Sequence, residues 1–284
     1  SGRRRRGMTA FWIVLGCLVL LAAGLLLFLN GFVNQRGVAR LNKRIRFTKD
    51  DRILYVVAHP DDETLMSGTL SLLKRKYGLP VKALYLTHGE DGPTFDLVPK
   101  SGLKERRTQE LGYVKEILSL DEMVVKDYPD RYLANQDFGD VCGAVRKETE
   151  SFRPTYVFTF DENIGMYGHT DHVTAGRAAV AIAKDCESVR GVFQMTLPSG
   201  MLNLAMKVSK TFRERYDPSH GLPGPNVACN IYRYSKYRLA VTKAHKTQTA
   251  VMRELQPYFD RIPRWIYYAI FDREYFFYRT RAEL

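Results

Sequence analysis

The chain has 284 residues, 45% of them hydrophobic, and a formal net charge of +12. Residues 1–51 hold ten Lys/Arg against Asp50 and Asp51, which leaves a net charge of only +4 for everything that follows. A basic excess gathered beside an apolar run suits anionic lipid head groups and argues against nucleic acid as a partner.

In chain order, a basic head (1–9, with Arg3 to Arg6) precedes Ala10–Leu29, twenty residues without a charge. At about 1.5 Å per residue such a helix spans roughly 30 Å, the hydrocarbon thickness of a bilayer. The run is longer than the apolar part of a signal peptide, and no small-residue cleavage pattern follows it. An uncleaved, single-pass membrane anchor is therefore expected over 10–29. The flank that follows (Arg36, Arg40, Lys43, Arg44) is as basic as the head, so the positive-inside count ties. A short, tightly charged head is the usual signal-anchor arrangement, which puts it inside and the following domain on the extracytoplasmic side. Residues 30–51 read as a basic juxtamembrane linker, and 52–284 as one domain of ordinary size.

Within that domain, Ile53–Ala58 reads as a buried parallel strand running into His59-Pro60. Helices are expected over Thr64–Tyr77, Leu103–Leu118, Val141–Phe152 and His172–Ala183. Strands are expected over Val81–Thr87, Met123–Val125 and Tyr156–Phe160. This alternation implies an α/β fold with a largely parallel sheet, in which ligands sit at the carboxyl ends of strands. Gly89–Gly102 reads as a loop. Residues 197–226, punctuated by Pro and Gly, read as an irregular lid or rim. The aromatic, Arg-containing stretch 264–278 is read as core packing, with a belt at the membrane interface as the alternative. Among the four cysteines there is no CxxC spacing.

The chemistry concentrates in two segments, Ala58-His-Pro-Asp-Asp-Glu63 and Tyr167-Gly-His-Thr-Asp-His172, which hold three of the six histidines. Both follow predicted strands, so both point to one edge of the sheet. A hydrolytic zinc site needs three N/O ligands, an open position, a carboxylate base, and a donor that stabilises the oxyanion. Adjacent Asp61 and Asp62 on an extended turn point different ways and can divide base and ligand work. The plainer reading of the first segment alone is a capped turn, with a carboxylate accepting backbone N–H groups at a helix start.

These segments resemble the signatures of the PIG-L or LmbE-like deacetylases, and the likeness runs from about residue 52 to 280. The resemblance implies a Rossmann-like three-layer sandwich and one Zn2+ held by His59, Asp62 and His172. It implies Asp61 as general base and His169 as acid or oxyanion donor, oriented by Asp171, with Tyr167 also near the oxyanion. By the same resemblance Arg107, Glu90 and Asp130 contact substrate. Alternatives are a surface pair of Arg107 with Glu110 and a turn role for Asp130. His245 resembles a late family motif or is a helix-surface histidine. Thr170 stands where the family usually has Pro, which alters loop stiffness. The implied activity is zinc-dependent removal of acetyl groups from N-acetylated sugars in glycolipids, glycans or glycoconjugates. The competing readings are a metal amidase acting on another amide, such as a thiol conjugate, and a sugar-binding protein without catalysis. Asp61 and His169 oppose the last, since binding needs neither.

Overall fold

Every position of Ile53–Val57 is apolar, as a strand covered on both faces requires. The structure, a computed structural model, describes residues 2–284, with side chains from Met8 onward. Its sheet has eight strands: β1 (Ala39–Arg40), β2 (Ile53–Val57), β3 (Val81–Thr87), β4 (Glu122–Tyr128), β5 (Tyr156–Thr159), β6 (Gly191–Thr196), β7 (Val227–Asn230) and β8 (Arg273–Thr280), in the spatial order β1-β7-β8-β6-β5-β2-β3-β4. All pairs are parallel except those of β8, which lies antiparallel between β6 and β7. The helices are α1 (Gly2–Val33), α2 (Leu41–Arg44), α3 (Ser67–Tyr77), α4 (Leu103–Leu118), α5 (Phe138–Phe152), α6 (Gly165–Gly168), α7 (Thr170–Asp185), α8 (Ser199–Val208), α9 (Lys210–Arg215), α10 (Ser235–Ala244), α11 (Thr249–Leu255) and α12 (Arg264–Ile270). Alternation along β2 divides the core. Ile53, Tyr55 and Val57 pack with Leu70, Leu73, Leu111 and Val114, whereas Leu54 and Val56 pack with Val141, Val145 and the alanines of α7. The expected three-layer α/β sandwich with a largely parallel sheet is the fold observed.

Three local expectations give way to packing and one alternative is decided. The helix expected from Thr64 begins at Ser67, because Asp62–Leu65 is a 3-10 turn and Met66, at φ −130°, breaks the path between them. Residues 197–226 are largely helical rather than irregular, since Leu202, Ala205, Met206 and Phe212 supply apolar faces that pack against the core. The aromatic stretch packs into the core, as first read: Tyr267, Tyr268, Tyr275 and Phe276 are buried, and its latter part is the strand β8. Residues 30–51 are not a free linker. Val33, Leu41 and Ile45 are buried, β1 pairs with β7, and Asn30 and Asn34 donate to the carbonyls of Ala269 and Ile270 at 2.8–3.2 Å.

The segment Met8–Val33 within α1 has a mean hydropathy of 2.8 and none of its most apolar window is buried. By length and composition it is a candidate membrane span, a test that a signal sequence also passes. The side chains of Arg3 to Arg6 in the basic head lie outside the described residues.

Candidate active site

The loops at the carboxyl ends of β2, β3, β4 and β5 converge, as doubly wound sheets require of a binding site. After β2 the chain turns sharply at Asp61, whose φ of 103° is rare for a residue with a side chain. Two buried groups clamp this turn. Glu63 accepts the Asp61 backbone N–H at 3.1 Å, and Arg107 donates to the Pro60 carbonyl and pairs with the Asp61 carboxylate at 3.0 Å. The clamp aims Asp61 into a cavity of about 320 Å³, which His59, Asp62, Tyr167, His169 and Arg107 also line. Burial pushes the Asp61 carboxyl up to about 6, against the pull of the Arg107 guanidinium.

The second segment enters through α6, kinked at Met166 (φ 78°), and leaves in α7. His172 donates from Nδ1 to the Gly165 carbonyl at 3.0 Å, so its Nε2 lone pair faces inward. His59 has Asp130 at 3.1 Å and Asp171 at 3.3 Å from Nε2, so its Nδ1 lone pair faces inward as well. Between the two rings lies Asp62. The separations are 3.2 Å for His59 Nδ1 to His172 Nε2, 3.2 Å for His172 Nε2 to Asp62 Oδ1, and 3.5 Å for His59 Nδ1 to Asp62 Oδ2. Ligands at 2.0–2.1 Å from a tetrahedral zinc stand about 3.3–3.4 Å apart, so these donors are spaced to hold such an ion. Burial opposes charge on Asp62, but the two imidazoles outweigh it and hold its carboxyl well below the ordinary range. His59 likewise resists burial, and its carboxylate neighbours raise it well above the usual histidine value. Metal binding would therefore displace a proton.

His169 caps α7. Its Nδ1 accepts the Asp171 backbone N–H at 3.3 Å, which leaves the ring proton on Nε2, and burial with two neighbouring imidazoles lowers its pKa to about 2. The ring is therefore neutral, which suits the second of the two roles expected of it, acid or oxyanion donor. Tyr167 packs its ring against His172 and Phe212, and burial keeps its phenol protonated well above the usual range.

Other expected contacts fall elsewhere. The Asp171 carboxylate accepts the Arg131 backbone N–H at 2.7 Å and faces His59, so it orients that ring rather than His169. Asp130 lines the cavity, but its carboxylate oxygens already have partners within the protein. It is buried, with one oxygen on His59 and the other on the Asp91 backbone N–H. Glu90 is a strut beneath it, accepting the Asp130 N–H at 3.0 Å. Arg107 lines the cavity, and its two terminal nitrogens serve Asp61, Pro60 and Gly89; a Cβ on Gly89 would fall 2.3 Å from the guanidinium. Nor does Arg107 pair with Glu110, which binds the backbone and hydroxyl of Thr247 instead.

The sequence reading missed a buried chain behind the turn. Tyr55 bonds Tyr85 at 2.6 Å, Tyr85 donates to Glu63, and Glu63 bonds His245, which is fully buried rather than on a helix surface. Burial disfavours charge on the His245 ring, but Glu63 more than offsets it and raises its pKa. The available signal was Glu63 itself, an acid just behind the two working aspartates.

Residues 54–183 match a family profile described as PIG-L: GlcNAc-PI de-N-acetylase. Residues 54–183 are a PIG-L family domain. Two bacterial relatives of this chain bear the name 1D-myo-inositol 2-acetamido-2-deoxy-alpha-D-glucopyranoside deacetylase. That of Saccharomonospora viridis is 27% identical over 233 residues, covering 70% of this chain and 85% of its own length. That of Kineococcus radiotolerans is 29% identical over 171 residues, and the match spans only 47% of its length and 50% of this chain. In structure, the N,N'-diacetylchitobiose deacetylase of Pyrococcus horikoshii aligns with a TM-score of 0.56 at 19% identity, over 81% of this chain and 83% of that one. By the family match of residues 54–183 and the relatives so named, the chain is an enzyme of the hydrolase class.

Proposed function

We propose that the protein is a zinc-dependent de-N-acetylase of N-acetylated glucosamine units, held at a membrane by residues 10–29. The observation that carries this is the tetrahedral spacing of the His59, Asp62 and His172 donors beside a buried carboxylate and a neutral imidazole donor. A bound zinc ion would acidify a water and polarise an amide carbonyl. Asp61, set by its clamp, accepts the proton of the attacking water and passes it towards the departing amine. His169 donates from Nε2 to the developing oxyanion, and the protonated Tyr167 phenol adds a second donor on that side. Asp130 and Asp171 fix the His59 ring, and Arg107 and Glu63 fix Asp61. A membrane anchor is supported by Asn30 and Asn34, which tie the end of α1 to the folded domain.

Metal-loaded protein incubated with N-acetylglucosamine glycosides should release free amine, and chelation should abolish the release until about one zinc per chain is restored. Absence of amine from every N-acetylated glycan and glycolipid tried would sink the assignment. Full zinc occupancy in His172→Ala would overturn the ligand set.

His169→Ala should keep zinc and lose about 10²–10³-fold in kcat, the typical cost of one oxyanion donor. Because the ring is neutral across the working range, this variant should leave the shape of the pH–rate profile unchanged. Disappearance of a basic limb in His169→Ala would restore the protonated-acid role.

A further inference from the structure

The backbone of Asp61 and its chemistry make opposed demands. A φ of 103° favours glycine, whereas the position needs a carboxylate. Such a turn persists only where its surroundings hold it, and two groups do so here from opposite sides. Arg107, which lines the cavity, grips the carboxylate and the Pro60 carbonyl. Glu63, fully buried behind the turn, takes the Asp61 backbone N–H.

Both Glu63 oxygens are occupied. Oε2 accepts the Asp61 N–H and the Tyr85 hydroxyl, each at 3.1 Å, and Oε1 accepts from Nε2 of His245. Tyr85 gives its one proton to Glu63, so Tyr55 is the donor in the 2.6 Å bond between the two phenols. For the His245 ring, Glu63 is the one hydrogen-bond partner among the described residues, since Nδ1 has none. The ring is also seated independently of Glu63. Two residues on, Thr247 gives its N–H and hydroxyl to Glu110 of α4 at 2.9 and 2.7 Å. α4 thus carries the front clamp, Arg107, and one turn later the acid that seats the rear one.

A buried acid–imidazole pair is a costly way to stabilise a core, because well-packed apolar side chains serve as well. What this pair does that apolar residues cannot is present a fixed acceptor to the backbone of Asp61. We propose that His245 is a positioning residue for the reaction, fixing Glu63 so that Glu63 holds the Asp61 turn and aims the base at the attacking water. The proposal rests on Asp61 as the base and adds the residue, 184 positions later in the chain, that sets its aim.

The test compares the native full chain with His245→Leu, His245→Gln, Glu63→Met and the apolar double variant Glu63→Met/His245→Leu, all metal-loaded. His245→Leu should keep zinc and KM and lose about 10²-fold in kcat, as a displaced catalytic group does. His245→Gln, which keeps a donor for Glu63, should regain most of that loss. Because His245 acts through Glu63, the double variant should be no slower than Glu63→Met alone, whereas independent roles would multiply the losses. Should His245→Leu fail to fold, that last comparison carries the test, and a further loss in the double variant overturns the proposal. Amide hydrogen exchange reads the clamp without turnover. Exchange at Asp61 should quicken in His245→Leu and slow again in His245→Gln, with β2 and α3 unchanged. A normal kcat or unchanged Asp61 exchange in His245→Leu overturns the proposal, as does lost protection throughout β2 in the double variant, which would make the pair structural. Exchange at Asp61 that depends on His245, in a chain that cleaves no N-acetyl sugar, keeps the clamp and removes the reaction.

Discussion

Asp61→Asn should keep its zinc and lose about 10²–10⁴-fold in kcat, whereas Asp62→Asn should lose zinc and regain part of its activity when metal is added. The two carboxylates are neighbours in sequence with opposite surroundings. Asp62 stands between two imidazoles, whose pull holds it ionised as a ligand must be. Asp61 is turned away by its positive φ, faces the cavity, and is pushed by burial up to about 6. A base works as the carboxylate, so the rate should fall as pH drops through the Asp61 value. A cation on the adjacent ligand moves that value down, so the acid limb should lie at or below pH 6 in the native enzyme and be absent from the residual rate of Asp61→Asn. Zinc analysis and pH–rate profiles on both variants decide the matter. Equal zinc loss in the two would defeat the division of labour, and a near-normal rate in Asp61→Asn would defeat general-base catalysis by this residue.

Deletion of residues 1–50 should yield no folded monomer, whereas deletion of residues 1–28 should yield a stable domain that still cleaves small glycosides. The longer deletion removes β1 and with it Val33, Leu41 and Ile45, which are 3%, 3% and 8% exposed. Burial of three such side chains is worth roughly 5–9 kcal/mol, as much as the whole stability of many domains. The shorter deletion removes most of the exposed apolar helix and keeps Asn30 and Asn34 for their bonds to α12. Size-exclusion chromatography and thermal unfolding of both proteins check this. A cooperative, monomeric 51–284 protein would show that the segment before β2 is a tether after all.

The contrast shows what sequence patterns carry. β2 and β3 were legible as short, largely apolar runs buried on both faces, α4 and the helix around His172 because each buries a face of regular period, and the two histidine segments because their residue types are costly anywhere but in a site. The path of residues 30–51 was not legible. Its polar character hides Val33, Leu41 and Ile45, spaced too irregularly to mark an element. β8 was missed because aromatic residues at 275–278 fill both faces of a central strand and leave no alternation to read. Within the site, the identities of the inward-facing groups followed from sequence, but their partners did not. That Asp171 serves His59, that Arg107 serves Asp61, and that Glu63 joins His245 across 182 positions are facts of tertiary packing.

The position of β8 also sets the order in which the protein can be assembled. β1 and β7 reach the rest of the sheet only through β8, although β1 directly follows α1 and β8 is the last strand synthesised. While the chain is emerging, the five strands β6-β5-β2-β3-β4 can pair among themselves. The segment beside α1 has no sheet to join until residues 273–280 arrive. Until then β6 presents a bare edge, and Leu41 and Ile45 lack the neighbours that cover them. The nascent protein thus passes through a stage in which apolar surfaces are open next to the exposed apolar helix α1, and closure of the fold comes late and at long range.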